Sequence, residues 1–239
     1  MSRVLVVLPA LDEAEAITDV IDAIPHAKLN KRGHETSVVV VDGGSKDGTV
    51  EIATNAGCHI IHQDFGGGKG IAMRLAFKHF LDASFDHLVM LDADGTYDPD
   101  DITRMVSVLE KGADVVIGSR LRGDISKGAM TRFNYVGNSI LSWTAVALFG
   151  HNLSDVCSGY WAFRRNSVAQ MNLNSVSFEI EAEMYAACAN SGFNIKHISV
   201  RYKPRKGEAK LGSIHDGARI MRKLIIRKIF PRPIENEGF

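Results

Sequence analysis

The chain has 239 residues, 45% apolar and 23% charged, enough to bury a core without disulfides or structural metal. This balance excludes wholesale disorder, a collagen-like repeat and a coiled-coil rod. Lys plus Arg equals Asp plus Glu at 28 each, so no nucleic-acid partner is expected.

Met1 to Pro9 runs straight into a strand pattern, without the cationic start and cleavage site of a signal peptide. Short apolar, β-branched runs follow at Val4–Leu8, Val38–Val41, His59–Ile61, His87–Leu91 and Val115–Ile117. They lack in-and-out alternation, as strands covered on both faces do. Between them, Glu13–Ile24, Asp47–Ala56, Lys69–Leu81 and Asp101–Glu110 have helix-forming composition, with Ser45 or Asp47 and Asp98 or Asp100 as N-terminal caps. The alternation predicts an α/β fold with a mostly parallel central sheet and helices on both faces. Ligands of such sheets collect at the carboxyl ends of the strands.

Beyond Arg120 the rhythm changes. The pattern predicts a loop from Leu121 to Ala129, a helix Arg132–Phe149, a strand Tyr160–Phe163, a helix Glu179–Asn190, a strand Lys196–Arg201 and a last helix from about Ser213 to Phe230. No Pro- or Ser-rich linker intervenes, so residues 1–239 read as one domain, with 1–120 beginning a site that 121–239 completes.

The sharpest chemical signal is Asp92-Ala93-Asp94 at the end of an apolar run. Residues i and i+2 of a strand share a side, so both carboxylates are expected to face one ligand. Two hard oxygen donors suit Mg²⁺ or Mn²⁺ held jointly with a substrate diphosphate. No Lys or Arg lies between Asp86 and Asp101, which leaves a cation as the natural neutraliser. Asp98, Asp100 and Asp101 read as the caps of the next helix. Three other segments occupy equivalent strand ends: Pro9 to Glu13, Asp42 to Thr49 and Gly66 to Gly70. Their glycines allow close backbone approach, and the helix starts beyond them supply amide donors. The last is no Walker loop, because Gln63 stands where its first glycine belongs, and no early GxGxxG follows the first strand.

Together, Pro9-Ala10-Leu11-Asp12-Glu13, Asp42 to Thr49, Gly68-Lys69-Gly70, Asp92-Ala93-Asp94 and Gly118-Ser119-Arg120 resemble the ordered motifs of family 2 glycosyltransferases of the GT-A fold. Asp155 with Ser158-Gly159-Tyr160, and the run Arg205 to Lys210, look like the polyprenyl (dolichyl)-phosphate sugar synthase branch. The resemblance implies inverting transfer from a UDP- or GDP-sugar to a polyprenyl or dolichyl phosphate. It places Pro9, Asp12, Glu13, Asp42, Lys69, Asp92 and Ala93 at the nucleotide sugar, with Arg205 and Lys210 closing over it. Asp92 and Asp94 would hold the metal, and Asp94, Asp155, Arg120 and Arg132 would be catalytic. Arg120, Arg132 and Asn138 would receive the acceptor phosphate. Alone, Arg120 or Arg132 would read as a surface salt bridge. The chain departs from the pattern at Gly43, Thr96 and Ala209, where relatives commonly carry Asp, Gln and Ser.

The alternatives are a glycosyltransferase with a non-lipid acceptor, a nucleotidyltransferase, a silent nucleotide-binding module, or a haloacid-dehalogenase-type phosphatase with Asp92 as nucleophile and Asp94 as general acid. That phosphatase motif usually opens its fold, whereas four strand patterns precede or contain it here.

No apolar run approaches about 20 residues, so a membrane would be met only at its surface, on the cytoplasmic side. From Arg201 to Lys228 there are ten Lys or Arg against Glu208 and Asp216. In the last helix Ile220, Met221, Leu224, Ile225 and Ile229 fall on helical spacing, with Arg219, Arg222, Lys223 and Arg227 elsewhere around it, which suits either packing on the domain or contact with a bilayer. Ile140 to Phe149, with Trp143, reads as a core helix.

Overall fold

The computed structural model describes residues 1–63, 67–207 and 214–233. Its centre is a seven-stranded sheet of order β3-β2-β1-β4-β6-β5-β7. The strands are β1 Ser2–Ala10, β2 His34–Asp42, β3 His59–His62, β4 His87–Met90, β5 Val115–Ile125, β6 Trp161–Arg164 and β7 Ile195–Tyr202. All neighbours pair in parallel except β6, which lies antiparallel between β4 and β5.

The continuous apolar runs are explained by two cores, one on each face. On β1, Leu5 and Val7 point into the core shared with Met73, Phe77 and Phe80 of helix α4 (Lys69–Asp82) and with Ile180, Met184 and Tyr185 of α8 (Ile180–Asn190). Val4, Val6 and Leu8 point the other way, toward Ile17 and Val20 of α1 (Ala14–Asp22) and Met105, Val106 and Leu109 of α5 (Ile102–Glu110). Each such side chain contributes about 1.5–3 kcal/mol when fully buried, so a polar residue at any of them would be costly.

Several elements differ from expectation. Helices α2 (His26–Asn30) and α7 (Arg165–Gln170) are too short to show periodicity and were not anticipated. The helix expected from Asp47 is α3, Thr49–Asn55. A 3-10 turn, Pro99–Asp101, precedes α5, and Asp98 caps it by accepting from the Asp100 amide at 3.2 Å. The expected loop after Arg120 begins as strand: β5 runs on to Ile125, with a register irregularity between Ser119 and Asp124 against β7. Gly123 marks a close approach there, since a Cβ would fall 1.8 Å from the Val200 carbonyl oxygen. Its neighbours Arg122 and Asp124 are exposed, which is why the strand reads as loop.

Helix α6 spans Arg132–Phe149, started by Thr131, whose hydroxyl accepts from the Asn134 amide at 3.1 Å, and ended by left-handed Gly150. Only its Leu141, Ser142 and Ala145 are buried, and Phe133, Val136, Ile140 and Trp143 are 67, 55, 50 and 72% exposed. The core-helix reading of Ile140 to Phe149 holds for one face, where Leu141 and Ala145 are buried and Val146, Leu148 and Phe149 pack beside them, while Ile140 and Trp143 continue an apolar stripe that faces solvent. The last helix, α9 (Ile214–Ile229), packs on the domain through Ile220 and Leu224, while Ile225 and Ile229 point outward. Arg227 turns inward, its Nε 2.7 Å from Glu183 of α8. Among the described residues no helix is long and apolar enough to cross a membrane.

Candidate active site

β1 and β2 end side by side, with Ala10 opposite Asp42, and β4 runs parallel to β1 so that Asp92 emerges near Pro9. The loops after these strands, with α6 and α9, surround a cleft of about 900 Å³. Pro9, Glu13, Lys69, Asp92, Ala93, Asp94, Arg120, Asn138 and Arg205 all line it.

The loop after β1 is fixed by the loop after β2. Asp12, the only non-glycine residue with positive φ among those described, donates its amide to Ser45 Oγ at 2.9 Å and accepts from the Lys46 amide at 2.7 Å. The Glu13 amide donates to Thr49 Oγ1 and the Ala14 amide to Asp47 Oδ2, both at 2.9 Å. Ser45 and Asp47 therefore staple two loops together, and Asp47 also holds the start of α3, its Oδ1 accepting from the Thr49 amide at 3.1 Å. Asp42 is buried, its carboxylate turned back on the amides of Gly44 and Ser45. Neither Asp12 nor Asp42 lines the cleft; Gly43 does. Both carboxylates hold loop amides beside the cleft.

The carboxylate pair lies in the turn just after β4, not on the strand itself. Asp94 Oδ1 accepts from the Thr96 amide at 3.0 Å and hydroxyl at 2.6 Å, so Thr96 orients this carboxylate. Asp94 Oδ2 lies 3.2 Å from Arg205, which also pairs with Glu13. Burial, reinforced by the charge of Asp92, raises the Asp94 pKa against the opposing pull of Thr96 and Arg205. Asp92 Oδ2 occupies space left by Gly159, where a Cβ would sit 2.1 Å away. That close approach accounts for the glycine of Ser158-Gly159-Tyr160.

Lys69, the first residue of α4, reaches Asp92 Oδ1 at 2.5 Å and Glu181 Oε1 at 2.7 Å. Burial alone would lower its pKa, but the two carboxylates outweigh it and the ammonium is held well above its usual range. Burial in turn raises the Glu181 pKa against Lys69. Gly68, which lines the cleft, and Gly70 make close approaches on their other side: a Cβ on either would lie 2.5 Å from a backbone oxygen of Val176 or Ser175. They let α4 abut the segment leading into α8. Sequence reasoning missed Glu181; its signal is the acidic residues 179, 181 and 183 in an otherwise apolar helix, since buried acids require partners.

Arg120 and Asp155 form a two-pronged pair, Nε and Nη2 each 2.8 Å from a carboxylate oxygen, with the Arg120 amide at 3.0 Å. Asp155 is wholly buried, and its two oxygens hold Arg120 in one direction. The guanidinium stacks over Tyr202 at 5.3 Å, which fixes its direction further. Arg132 is exposed in the first turn of α6, outside the lining, beside Phe133 and Asn134, which belong to it. Lys210 and Ala209 lie outside the described residues.

The residues at the strand tip fit a divalent cation. Asp92 and Asp94 offer two hard oxygens, each already attracting a cationic side chain, and burial beside a like charge makes the ionised form of Asp94 costly without more positive charge. No group of three or more protein ligands occurs among the described residues, so substrate oxygens or water would complete the coordination.

Residues 5–171 match the family described as Glycosyl transferase family 2. Over 97% of its length the chain is 40% identical to the glycosyltransferase AglJ of Haloferax volcanii, spanning 74% of that protein. Over 92% it is 31% identical to the dolichyl-phosphate hexose transferase of the same organism, spanning 91% of it. Among solved structures, it resembles glucosyl-3-phosphoglycerate synthase from Mycobacterium tuberculosis in complex with Mn²⁺, uridine-diphosphate-glucose and phosphoglyceric acid. The TM-score is 0.72 over 100% of this chain and 83% of that one, at 20% identity, a likeness of fold alone.

Proposed function

This chain belongs to glycosyl transferase family 2 and has the GT-A fold, and from that membership we propose that it transfers a sugar from a nucleoside diphosphate to a polyprenyl or dolichyl phosphate at a membrane surface. The phosphatase reading of Asp92-Ala93-Asp94 is set aside by the same membership. The observation that carries the lipid acceptor is the shared wall of the cleft. Phe133 and Ile140 line it and also belong to the exposed apolar stripe that continues to Trp143, so a phosphate could enter while its chain rests outside. The name of the dolichyl-phosphate hexose transferase relative supports the same acceptor class.

The chemistry asks little of the protein beyond placement and charge. A phosphate monoester has its second pKa near about 6, so the acceptor is largely dianionic at neutral pH and needs no general base. In-line attack at the anomeric carbon inverts it and expels the diphosphate. Asp92 and Asp94 would hold a Mg²⁺ or Mn²⁺ ion, which would neutralise charge on the departing diphosphate. Arg120, its direction fixed by Asp155, presents positive charge to the cleft without having to reorganise, and Asn138 offers an amide on the α6 side. Arg205 adds a second cation near the carboxylates. The outward Arg222 and Ile225 of α9 suit an anionic lipid surface.

The test supplies protein with Mg²⁺ or Mn²⁺, dolichyl phosphate in micelles and labelled UDP- and GDP-sugars. Label is expected in the lipid extract for one donor. The second reading takes its support from the phosphoglyceric acid named for the solved neighbour: label transferred only to a soluble phosphorylated acceptor would establish it and reject the lipid.

A further inference from the structure

Lys69 has an 11% exposed side chain, too deep for an ammonium to be left without an anionic partner. It has two, Asp92 and Glu181, at 2.5 and 2.7 Å. Remove Glu181 and Lys69 is tied to Asp92 alone; with Glu181 present, Lys69 can release Asp92 and remain paired. Asp94 is in a parallel state, because Arg205 bridges it to Glu13. Both carboxylates that would bind a divalent ion therefore already hold a side chain of the protein.

A metal ion arriving alone must compete with those resident cations. Arriving with a diphosphate it need not, since phosphate oxygens offer the displaced ammonium a new anionic partner. We propose that Lys69, shared between Asp92 and Glu181, keeps a divalent cation off the carboxylate pair until a nucleoside diphosphate is present, and that Glu181 is the positioning residue that lets Lys69 release Asp92. This rests on the reading of the cleft as a metal-dependent donor site. Metal and nucleotide then tighten each other by one common factor, as linkage requires.

Titration of the full chain with Mn²⁺, followed by the electron paramagnetic resonance of the free ion, reads this without turnover. In the unsubstituted protein, UDP or GDP is expected to tighten Mn²⁺ binding by about tenfold or more. Lys69→Met should tighten binding of Mn²⁺ alone by about tenfold and shrink the nucleotide effect, whereas Glu181→Gln should weaken binding of Mn²⁺ alone by roughly threefold or more. A merely structural role for Glu181 would lower the melting temperature without producing these opposite shifts. Lys69→Met leaves Glu181 buried without its cation, so the charge-balanced pair Lys69→Met with Glu181→Leu serves if the single variant does not fold, and it too should bind Mn²⁺ alone more tightly than the unsubstituted chain. Nucleotide-independent Mn²⁺ affinity, or shifts of the two single variants in the same direction, would overturn the inference while leaving the donor site standing. No Mn²⁺ binding with or without nucleotide would overturn the donor-site reading, and this inference with it.

Discussion

On one wall of the cleft Asp92, Asp94, Glu13 and Glu181 each meet a cationic side chain, and the loops that carry Glu13 and Gly43 are tied amide by amide to their neighbours. On the other, Phe133 and Ile140 line the cleft from α6 and continue outward as a stripe with Val136 and Trp143, all four with half or more of their surface in solvent. The first wall spends stability on fixed charge, in an environment where charge acts strongly. The second leaves apolar area unburied, which a water-facing helix gains nothing from and an interfacial one does. Chemistry and acceptor docking are thus separable, and substitutions on the two walls should fail in different assays.

The largest expected effect is on the charged wall. Asp94→Asn should cut sugar transfer by about 10³-fold or more, measured as product per time at saturating donor. The melting temperature should barely move, because burial and Asp92 already penalise the Asp94 charge. Unchanged transfer would remove Asp94 from the reaction. Just beneath that wall, Asp155→Ala strands a buried Arg120 and should cost about 3–5 kcal/mol of stability, read as a lower denaturant midpoint with the slope preserved.

Ile140→Ser with Trp143→Ser tests the other wall. Flotation with anionic vesicles should show binding weakened about tenfold or more, while stability changes by only about 0.5 kcal/mol, since both side chains are already exposed. Equal vesicle binding would detach the stripe from any lipid role.

The smallest effect lies at the far end of the sheet, away from both walls. Burial lowers the His87 pKa below 6.5, with Asp86 opposing and His34 and Arg164 assisting. The native state therefore binds this proton less readily than the unfolded chain. Stability from this group is present above about pH 6.5 and declines as pH falls through that value toward the folded one. His87→Gln should flatten the slope of melting temperature against pH in that window.

The strand cores were legible because double-sided burial leaves an unbroken apolar run, as in Val4–Leu8 and His87–Leu91. The limits of α6 were legible as well, since helical composition stops at Gly150. Its exposure was not: a helix with one packed face and one apolar solvent face has the composition of a core helix. The same ambiguity hid the course of α9, whose apolar residues divide between inside and outside while Arg227 goes in to meet Glu183. The protein partners of Asp42, Asp12 and Asp155 were not legible, because a carboxylate serves amides and guanidinium groups equally well and only the fold shows which of them is near.

What the amino-acid order determined by itself is local: where apolar runs end, and that Asp92 and Asp94 follow one of them with no cation nearby in the chain. Which cations reach those carboxylates was decided by tertiary structure, because Lys69, Glu181 and Arg205 come from separate segments and meet only when the close approach at Gly68 and Gly70 sets α4 beside the entry to α8 and the segment after β7 crosses the strand tips. Coulomb energy depends on separation in space, and separation along the chain does not report it.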